Sequence, residues 1–203
     1  MKNQRNLVLL VVVLVLIIDQ LTKYWVKTNM QLGESFGPGW FLVHFVENKG
    51  MAFGASLGGV MGKYALSLFR LFAIGYLIHL IGQMVKKELP TGLLVCFAMI
   101  LAGAIGNMID SAFYGLVFSE STFREVGELV GLGSGYAGFL QGNVVDMLHF
   151  PLFEGTFPEW LPLWGGEQFE FFRYIFNVAD AAISVGVAIL LLFYRKVFQR
   201  SLS

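Results

Sequence analysis

The stretch FNVADAAISVGVAILLLFYRK, residues 176–196, places a carboxylate at the start of a long apolar run. No charged residue follows Asp180 until Arg195, and a run of this kind is typical of a membrane-spanning helix. Ionisable groups in such helices are costly and usually functional. Asn177 could cap the helix by itself, so the carboxylate of Asp180 has no evident structural task. We therefore treat Asp180 as a candidate functional residue.

The composition indicates one integral membrane unit, residues 1–203. The hydrophobic residues make up 56% of the chain and the charged residues only 14%, with a mean hydropathy of +0.67. The 14 basic residues balance the 14 acidic ones, which leaves no basic surface for nucleic acid. The single cysteine, Cys96, can form neither an internal disulfide nor a cysteine-rich metal site, and we expect it to be a small buried apolar residue. We expect no metal and no cofactor.

Four apolar segments predict an all-α membrane protein with four transmembrane helices, because each is close to the ~20 residues needed to span a bilayer. The predicted helices are about 7–26, 64–85, 91–109 and 177–197. Basic clusters lie beside three of the helix ends: Lys2 and Arg5, Lys86 and Lys87, and Arg195, Lys196 and Arg200. The positive-inside rule then predicts cytoplasmic termini and outward-facing loops at 28–63 and 110–176.

The two outward loops are too long to be simple connections. Residues 40–54, WFLVHFVENKGMAFG, alternate apolar and polar side chains before a Gly-rich turn, which predicts a small extracytoplasmic β-sheet on the membrane surface. Residues 150–176 are rich in aromatic side chains, a composition suited to the lipid headgroup layer. We expect the segments 112–140 and 153–172 to form an outer cover over the site.

The unusual polar residues converge at one level, the outer boundary of the bilayer. Asp19 and Lys23 lie ~20–26 Å along the first predicted helix. Asn107 and Asp110 end the third helix, Asn177 and Asp180 begin the fourth, and Asp146 lies in the outward loop within GNVVDMLHF, residues 142–150. The pattern predicts a site there.

Several of these residues also suit structural roles. Asp19 and Lys23 have the i, i+4 spacing of a local ion pair, and Asn107 and Asp110 have the i, i+3 spacing of a helix end. Arg70, in the second predicted helix, fits a paired or a snorkelling charge.

For Asp146 and Asp180 we favour a catalytic role. Two aspartates at an apolar, partly wet boundary can share one proton. Such a pair can activate water for attack on an amide carbonyl and protonate the leaving nitrogen. Alternatives from other classes stay open: a small transporter or proton relay, whose pathway would also contain ionisable groups, and a non-catalytic membrane scaffold whose aromatic loops bind a partner.

Five short motifs together resemble the lipoprotein signal peptidases (signal peptidase II), which are intramembrane aspartic proteases of bacteria. They are DQLTK at 19–23, NKGMAFG at 48–54, GNMID at 106–110, VVDM at 144–147 and FNVADAAI at 176–183. The resemblance implies that Asp146 and Asp180 are the catalytic dyad. It further implies that Asn48, Gly54, Asn107, Asp110 and Asn177 bind substrate or support the dyad, and that Asp19 and Lys23 support the fold.

The resemblance also implies a substrate and a location. The substrate is a diacylglyceryl-modified prolipoprotein, cut on the N-terminal side of its lipidated cysteine. The enzyme is a multi-pass protein of the bacterial inner membrane in contact with membrane lipids, with its active site at the periplasmic face. We expect it to act as a monomer.

One departure from the family pattern concerns the residue after Asp110. Family members commonly have the sequence NxxDR, whereas Ser111 stands here in place of the arginine. A basic contact at that position is then either missing or supplied from elsewhere. Arg124, Arg173 and Lys49 are the candidates from sequence.

Overall fold

The computed structural model describes residues 2–49, 51–52, 55–56 and 59–194. The helices are α1 (Lys2–Asn29), α2 (Gly59–Lys86), α3 (Thr91–Ile109), the single turn α4 (Gly115–Val117) and α5 (Val178–Phe193). The strands are β1 (Ser35–Phe36), β2 (Leu42–Asn48), β3 (Met51–Ala52), β4 (Ala55–Ser56), β5 (Val144–His149), β6 (Phe153–Thr156), β7 (Gln168–Phe171) and β8 (Ile175–Phe176).

Three helical stretches are long and apolar enough to cross a bilayer: Lys2–Asn29, Gly59–Lys86 and Thr91–Val117. Helices α1 and α2 are longer at both ends than the sequence predicts, whereas α3 has the predicted bounds. Helix α5 is a shorter apolar helix of 16 residues, about 24 Å at the usual rise per residue. Residues 195–197 of the fourth predicted helix lie outside the described residues.

Helix α3 is the central element of the helical layer, since it packs against α1, α2 and α5. Two glycines allow α3 and α5 to approach closely. A Cβ atom at Gly103 would collide with the carbonyl oxygen of Ala179, and one at Gly186 would lie 2.9 Å from the carbonyl oxygen of Cys96. Small residues at a helix interface give membrane helices the van der Waals contact that associates them in lipid.

The outer surface of the helices is apolar. Exposed side chains on α1, α2 and α5 include Leu9, Phe72 and Leu192, while the buried residues of α2 are Ser67 and Ile81. A soluble monomer rarely exposes a continuous apolar surface of this extent, so these faces suit contact with lipid.

An antiparallel sheet of four strands, in the order β1-β2-β5-β8, lies at the other end of the helices from residues 2 and 86. Strand β2 falls within the predicted sheet region, but its long partner is β5, which the sequence analysis left as loop. The register pairs Val46 with Asp146 and Asn48 with Val144. The sheet therefore fixes the position of Asp146, and the protein is mostly helical rather than all-α.

The chain stays helical past the predicted end of α3. A π-helical turn, Asp110–Tyr114, follows Ile109 directly and continues into α4. Helix α3 itself ends at Ile109 with Asp110 as its C-cap, as the sequence predicts, but the π-helical turn that continues the chain is not predicted. A π-helical turn inserts one extra residue per turn and is frequent at functional sites. Here it allows the buried side chains of Asp110 and Ser111 to point toward different neighbours.

The two long segments expected to form an outer cover have different structures. Residues 118–143 contain no regular element apart from an isolated bridge between Phe118 and Leu129. Residues 153–171 form the hairpin β6–β7, in which Phe153 stacks on Phe171 with 4.6 Å between ring centroids. Trp160 and Trp164, at the tip of the hairpin, are exposed.

Candidate active site

A buried ion-pair cluster joins α1 to the end of α3. The Nζ atom of Lys23 lies 2.9 Å from Asp19 Oδ2 and 2.8 Å from Asp110 Oδ2, and all three side chains are fully buried. Lys23 also donates a hydrogen bond of 2.9 Å to Asn107 Oδ1. A charge removed from water must be paired and hydrogen-bonded, and this cluster meets that requirement. The local Asp19–Lys23 pair predicted from the i, i+4 spacing is present and has a third member, Asp110.

Asp110 extends the cluster to the strand that carries Asp146. Asp110 Oδ2 accepts a 3.3 Å hydrogen bond from the backbone N–H of Val145, and Asp110 Oδ1 accepts one of 2.9 Å from Gln20 Nε2. Val145 is the residue immediately before Asp146. The buried carboxylate thus holds β5 against the helices at the point where Asp146 leaves the strand.

Two residues of α1 and α5 satisfy the first backbone amides of α5. Asp19 Oδ1 accepts the N–H of Ala179 at 2.8 Å, and the N-cap Asn177 accepts the N–H of Asp180 through its Oδ1 at 2.9 Å. The first turn of a helix has amide groups without intrahelical partners, and side-chain acceptors of this kind stabilise it. Asp180 therefore begins its helix in a fixed orientation.

Two asparagine side chains connect the aspartates. Asn107 Nδ2 donates to Asp180 Oδ1 at 2.8 Å, and Asn177 Nδ2 lies 2.7 Å from Asp146 Oδ1. Asn177 Nδ2 also lies 3.1 Å from Asn107 Oδ1, so the two amides contact each other. The polar residues predicted to converge do so in one network: Asp19, Lys23, Asn107, Asp110, Asp146, Asn177 and Asp180.

The two aspartates have different surroundings. Asp146 is 5% exposed, whereas Asp180 is only half-buried. Burial, and then the neighbouring charge of Asp180, raise the pKa of Asp146 to about 7, while Lys23 and the hydrogen bond from Asn177 oppose the shift. Near neutral pH the pair can therefore hold one proton, with Asp146 as its carrier.

Ser111 contacts a basic residue that the sequence analysis assigned to other roles. The Nη1 atom of Arg70, on α2, donates to Ser111 Oγ at 2.8 Å, and that hydroxyl lies 3.0 Å from the carbonyl oxygen of Asn107. Lys49 lines the same small cavity as Arg70 and Ser111. Arg70 could be suspected from sequence only as an arginine within an apolar helix, since nothing in the sequence pairs it with Ser111.

A second buried network, which the sequence analysis missed, clamps the sheet to the helices. Lys27, fully buried on α1, contacts Glu47 Oε1 at 2.5 Å and Ser121 Oγ at 2.8 Å. Glu47 Oε2 accepts from Asn143 Nδ2, and Lys63 of α2 donates to Asn143 Oδ1. The available signal was spacing, because Lys27 follows Lys23 by four residues and so lies on the same face of α1.

The remaining predicted site residues lie at the margin of the network or beyond the described chain. Asn48 ends β2 opposite Val144 and lines the small cavity next to Ser111. Gly54 lies outside the described residues, so its predicted role stays a prediction. Cys96 is 2% exposed among apolar side chains in α3, as expected, and belongs to the helical core rather than to this site.

The segment GESFG, residues 33–37, has the G-x-S-x-G spacing of some serine hydrolases. Ser35 lies on the edge strand β1 and contacts Nδ1 of His44, its partner in the strand register. A nucleophile elbow requires a sharp turn between a strand and a helix, and β1 leads instead into the loop before β2. The pair is therefore a cross-strand contact of the sheet.

Sequence comparisons relate this chain to known proteins. The family model described as signal peptidase (SPase) II matches residues 11–196. A protein named lipoprotein signal peptidase from Porphyromonas gingivalis is 50% identical over 194 residues, covering 94% of this chain and 84% of the relative. One of the same name from Amoebophilus asiaticus is 34% identical, covering 94% of this chain and 78% of the relative.

A solved structure gives independent support for the fold. It is titled a bacterial membrane enzyme, has 24% sequence identity to this chain and a TM-score of 0.58, and the match covers 94% of this chain and 88% of the solved one. The two chains therefore share a fold. With the family model spanning nearly all of the sequence, this chain belongs to the signal peptidase II family, which is a family of membrane-bound peptidases.

Proposed function

We propose that this peptidase cuts diacylglyceryl-modified prolipoproteins on the N-terminal side of the lipidated cysteine, with Asp146 and Asp180 as its catalytic residues. The observation that carries the assignment is the pair of asparagine bridges, Asn107 to Asp180 and Asn177 to Asp146. They connect two carboxylates of unequal burial through one hydrogen-bond network at the junction of the sheet and the helices. Asn107, Asp110, Asn177 and Asn48 support the dyad or the bound peptide, and Asp19 and Lys23 support the fold.

The reaction is a general acid–base hydrolysis of an amide. Asp180, ionised, takes a proton from a water molecule whose oxygen attacks the scissile carbonyl carbon. A tetrahedral intermediate with two oxygens results. Asp146 gives its proton to the amide nitrogen, the C–N bond breaks, and the two products are a carboxylic acid and an amine. Transfer of the proton from Asp180 to Asp146 then restores the starting state of the dyad.

The two roles follow from the surroundings of each group. Asp146 carries the shared proton because its burial and its neighbour raise its pKa to about 7. Asp180 is less buried and its Oδ1 accepts a hydrogen bond from Asn107, so we assign it the role of the base. Protons on such a pair belong to the pair as a whole, so this distribution describes the resting state.

The proposed location is the bacterial inner membrane, with four spans, both termini in the cytoplasm and the dyad at the periplasmic face. Lys2, Arg5, Lys86 and Lys87 lie at the end of the helices opposite the sheet, which supports that orientation under the positive-inside rule. The exposed aromatic side chains of the β6–β7 hairpin suit the headgroup layer on the periplasmic side. The enzyme acts as a monomer in contact with lipids.

A cleavage assay tests the catalytic proposal. The purified protein in detergent should convert a diacylglyceryl prolipoprotein to a shorter product on a gel, and the same substrate without its lipid should remain uncut. Asp180→Asn should abolish conversion while the folded protein persists. Substantial turnover by that variant would remove the two-aspartate mechanism.

Cysteine labelling tests the orientation. In a Cys96→Ala background, Lys87→Cys should be protected from an impermeant thiol reagent in intact cells and Glu120→Cys should react once the reagent reaches the periplasm. The reverse pattern would overturn the proposed orientation.

A further inference from the structure

Arg70 lies on α2, a helix that contributes no side chain to the network of the two aspartates and two asparagines. It brings a positive charge close to that network. Its guanidinium is half-buried and donates to Ser111 Oγ at 2.8 Å. Within the described residues, no carboxylate oxygen lies at ion-pair distance from it. Arg70 is nevertheless in electrostatic range of Asp180, Asp110 and Asp146. A charge placed this way acts through its field rather than through a direct ion pair.

The other cation of the site is already occupied. Lys23 is in direct contact with both Asp19 and Asp110, so one positive charge faces two buried carboxylates there. The ionisable groups of the dyad network are Asp19, Lys23, Asp110, Asp146 and Asp180, with Arg70 beside them on α2. Two further lysines, Lys49 and Lys63, line the small cavity next to Arg70. Without Arg70 the ionised dyad would add its negative charge to a cluster in which carboxylates outnumber cations.

We propose that Arg70 is a positioning residue of the peptidase, held in place by Ser111, whose positive charge stabilises the negative charge of the dyad. The proposal rests on the proposed function, since it requires the dyad to be catalytic. An arginine suits the task because its guanidinium stays protonated when partly buried and has five N–H donors, of which Ser111 uses one.

The contact with Ser111 explains how the guanidinium is fixed. Ser111 is 4% exposed, and its hydroxyl lies between the Arg70 Nη1 and the carbonyl oxygen of Asn107, the residue that donates to Asp180. The chain of contacts runs from α2 through Ser111 and Asn107 to the dyad. Two intervening residues therefore connect the guanidinium to the residue that donates to Asp180.

The pH profile of Arg70→Gln tests the proposal. A nearby cation favours ionised carboxylates, so its loss should move both limbs of the kcat profile to higher pH by on the order of one unit. At a fixed pH on the acidic limb we therefore expect kcat to fall about tenfold, with little change in KM because the substrate contacts are retained. Arg70→Lys should recover part of the shift, since it keeps the charge but reaches Ser111 less well.

Lys63→Gln is the matched control. It removes a cation from the same helix, but Lys63 donates to Gln141 and Asn143 rather than to the dyad network. Its pH limbs should coincide with those of the unmodified protein, whatever its effect on stability. A shift as large as that of Arg70→Gln would show that any charge on α2 has this effect and would overturn the assignment.

Moving the charge provides a second test. Ser111→Arg alone places two guanidinium groups at one buried position and should be poorly active. Arg70→Ser combined with Ser111→Arg leaves room for the new side chain and returns the charge to the same location. We expect the double variant to be more active than either single variant and to have restored pH limbs.

The two proposals fail in different ways. If Asp180→Asn is inactive but Arg70→Gln keeps the unmodified pH limbs, the role of Arg70 is refuted and the two-aspartate mechanism stands. The positioning role is likewise refuted if Arg70→Ser combined with Ser111→Arg is no more active than the less active of its two single variants, provided that all three proteins are folded. Turnover by Asp180→Asn refutes the mechanism whatever Arg70 does.

Discussion

The side-chain amide of Asn177 lies 2.7 Å from Asp146 Oδ1, while the oxygen of the same amide caps the first turn of α5. One residue therefore links the packing of α5 to the orientation of a carboxylate on a different element, β5. The geometry of the dyad depends on how α5 begins, so changes at Asn177 should affect stability and activity through separate atoms of one side chain.

Asn177→Ala and Asn177→Ser separate these two effects. Ala removes the cap and should lower the free energy of unfolding by about 1 kcal/mol, which Ser should largely restore because its hydroxyl is a good N-cap. Both variants lose the amide N–H that contacts Asp146, because the serine hydroxyl replaces only the capping oxygen of the amide, so both should lose activity by about 10²-fold. Thermal unfolding in detergent and the cleavage assay measure the two quantities. Recovery of activity in Asn177→Ser would contradict a role in orienting Asp146.

The two aspartates should behave as a unit. Asp146→Asn and Asp180→Asn should each abolish cleavage, and the double variant should be scarcely worse than either, because neither group can act alone. Asp110→Asn is the contrast, since it contacts Lys23 and the backbone of Val145 rather than the dyad. It should reduce stability or rate without erasing turnover. If the rate reductions of the two single variants multiply in the double variant, the two aspartates act independently.

The pH dependence of kcat/KM should show a basic limb near pH 7. Burial and Asp180 raise the pKa of Asp146 to about 7, so its carboxyl is protonated below that pH and loses its proton as the pH rises through it. The general acid is then lost and kcat/KM, which reports the free enzyme, should decline. Initial rates from about pH 5 to about pH 9 measure the limb. A constant kcat/KM from pH 6 to 9 would contradict Asp146 as the acid.

Lys23→Met should strongly destabilise the protein. It leaves Asp19 and Asp110 buried against each other without the cation that both contact, and breaking such a pair costs about 3–5 kcal/mol. Lys87→Met, at an exposed position on the other end of the bundle, is the control. Unfolding temperatures in detergent, with expression levels measured in parallel, decide the matter. Equal stability of the two variants would mean that the cluster tolerates an unpaired charge.

Cys96→Ala should leave proteolysis nearly unchanged. The thiol is buried among apolar side chains of the helical core, away from the site network, and a free cysteine there acts as a small apolar residue. The free energy of unfolding should change by about 1 kcal/mol or less. Cleavage rates and sensitivity to thiol reagents are the measurements. Inactivation of the folded protein by either change would implicate the thiol in the reaction.

The sequence predicts the helical layer and the convergence of the dyad because both depend on local signals. Hydrophobic length predicts the bounds of α3 closely, and residue spacing predicts the Asp19–Lys23 pair. The level of each polar residue along its helix follows from the helical rise, which is why Asp19, Asp110 and Asp180 could be assigned to one boundary from sequence. Asp146 was assigned to that boundary because its loop faces outward and its neighbours are apolar.

The contacts between distant segments could not be predicted in this way. Arg70 and Ser111 are 41 residues apart, and their contact depends on how α2 rotates about its axis. The π-helical turn after Ile109 changes the directions in which Asp110 and Ser111 point, and no pattern in the sequence predicts this turn. Strand β5 gives no strand signal in the sequence. Its first four residues are all buried, so it lacks the alternation of apolar and polar side chains that marks a half-exposed strand.

The hydrogen bond from Ala179 to Asp19 spans 160 residues and has a consequence for assembly during synthesis. The first helix is synthesised before α3 and α5. Until those helices are made, Asp19 and Lys23 lie in the membrane without Asp110 and the amides of α5 as partners. Their mutual ion pair on one helix face lowers the free-energy cost of placing two charged side chains in the membrane at that stage. Asp110 and then the first amides of α5 complete the cluster in the order in which the ribosome supplies them. If Asp146 and Asp180 are the catalytic residues proposed above, the nascent chain can acquire proteolytic activity only when its last helix has packed against its first.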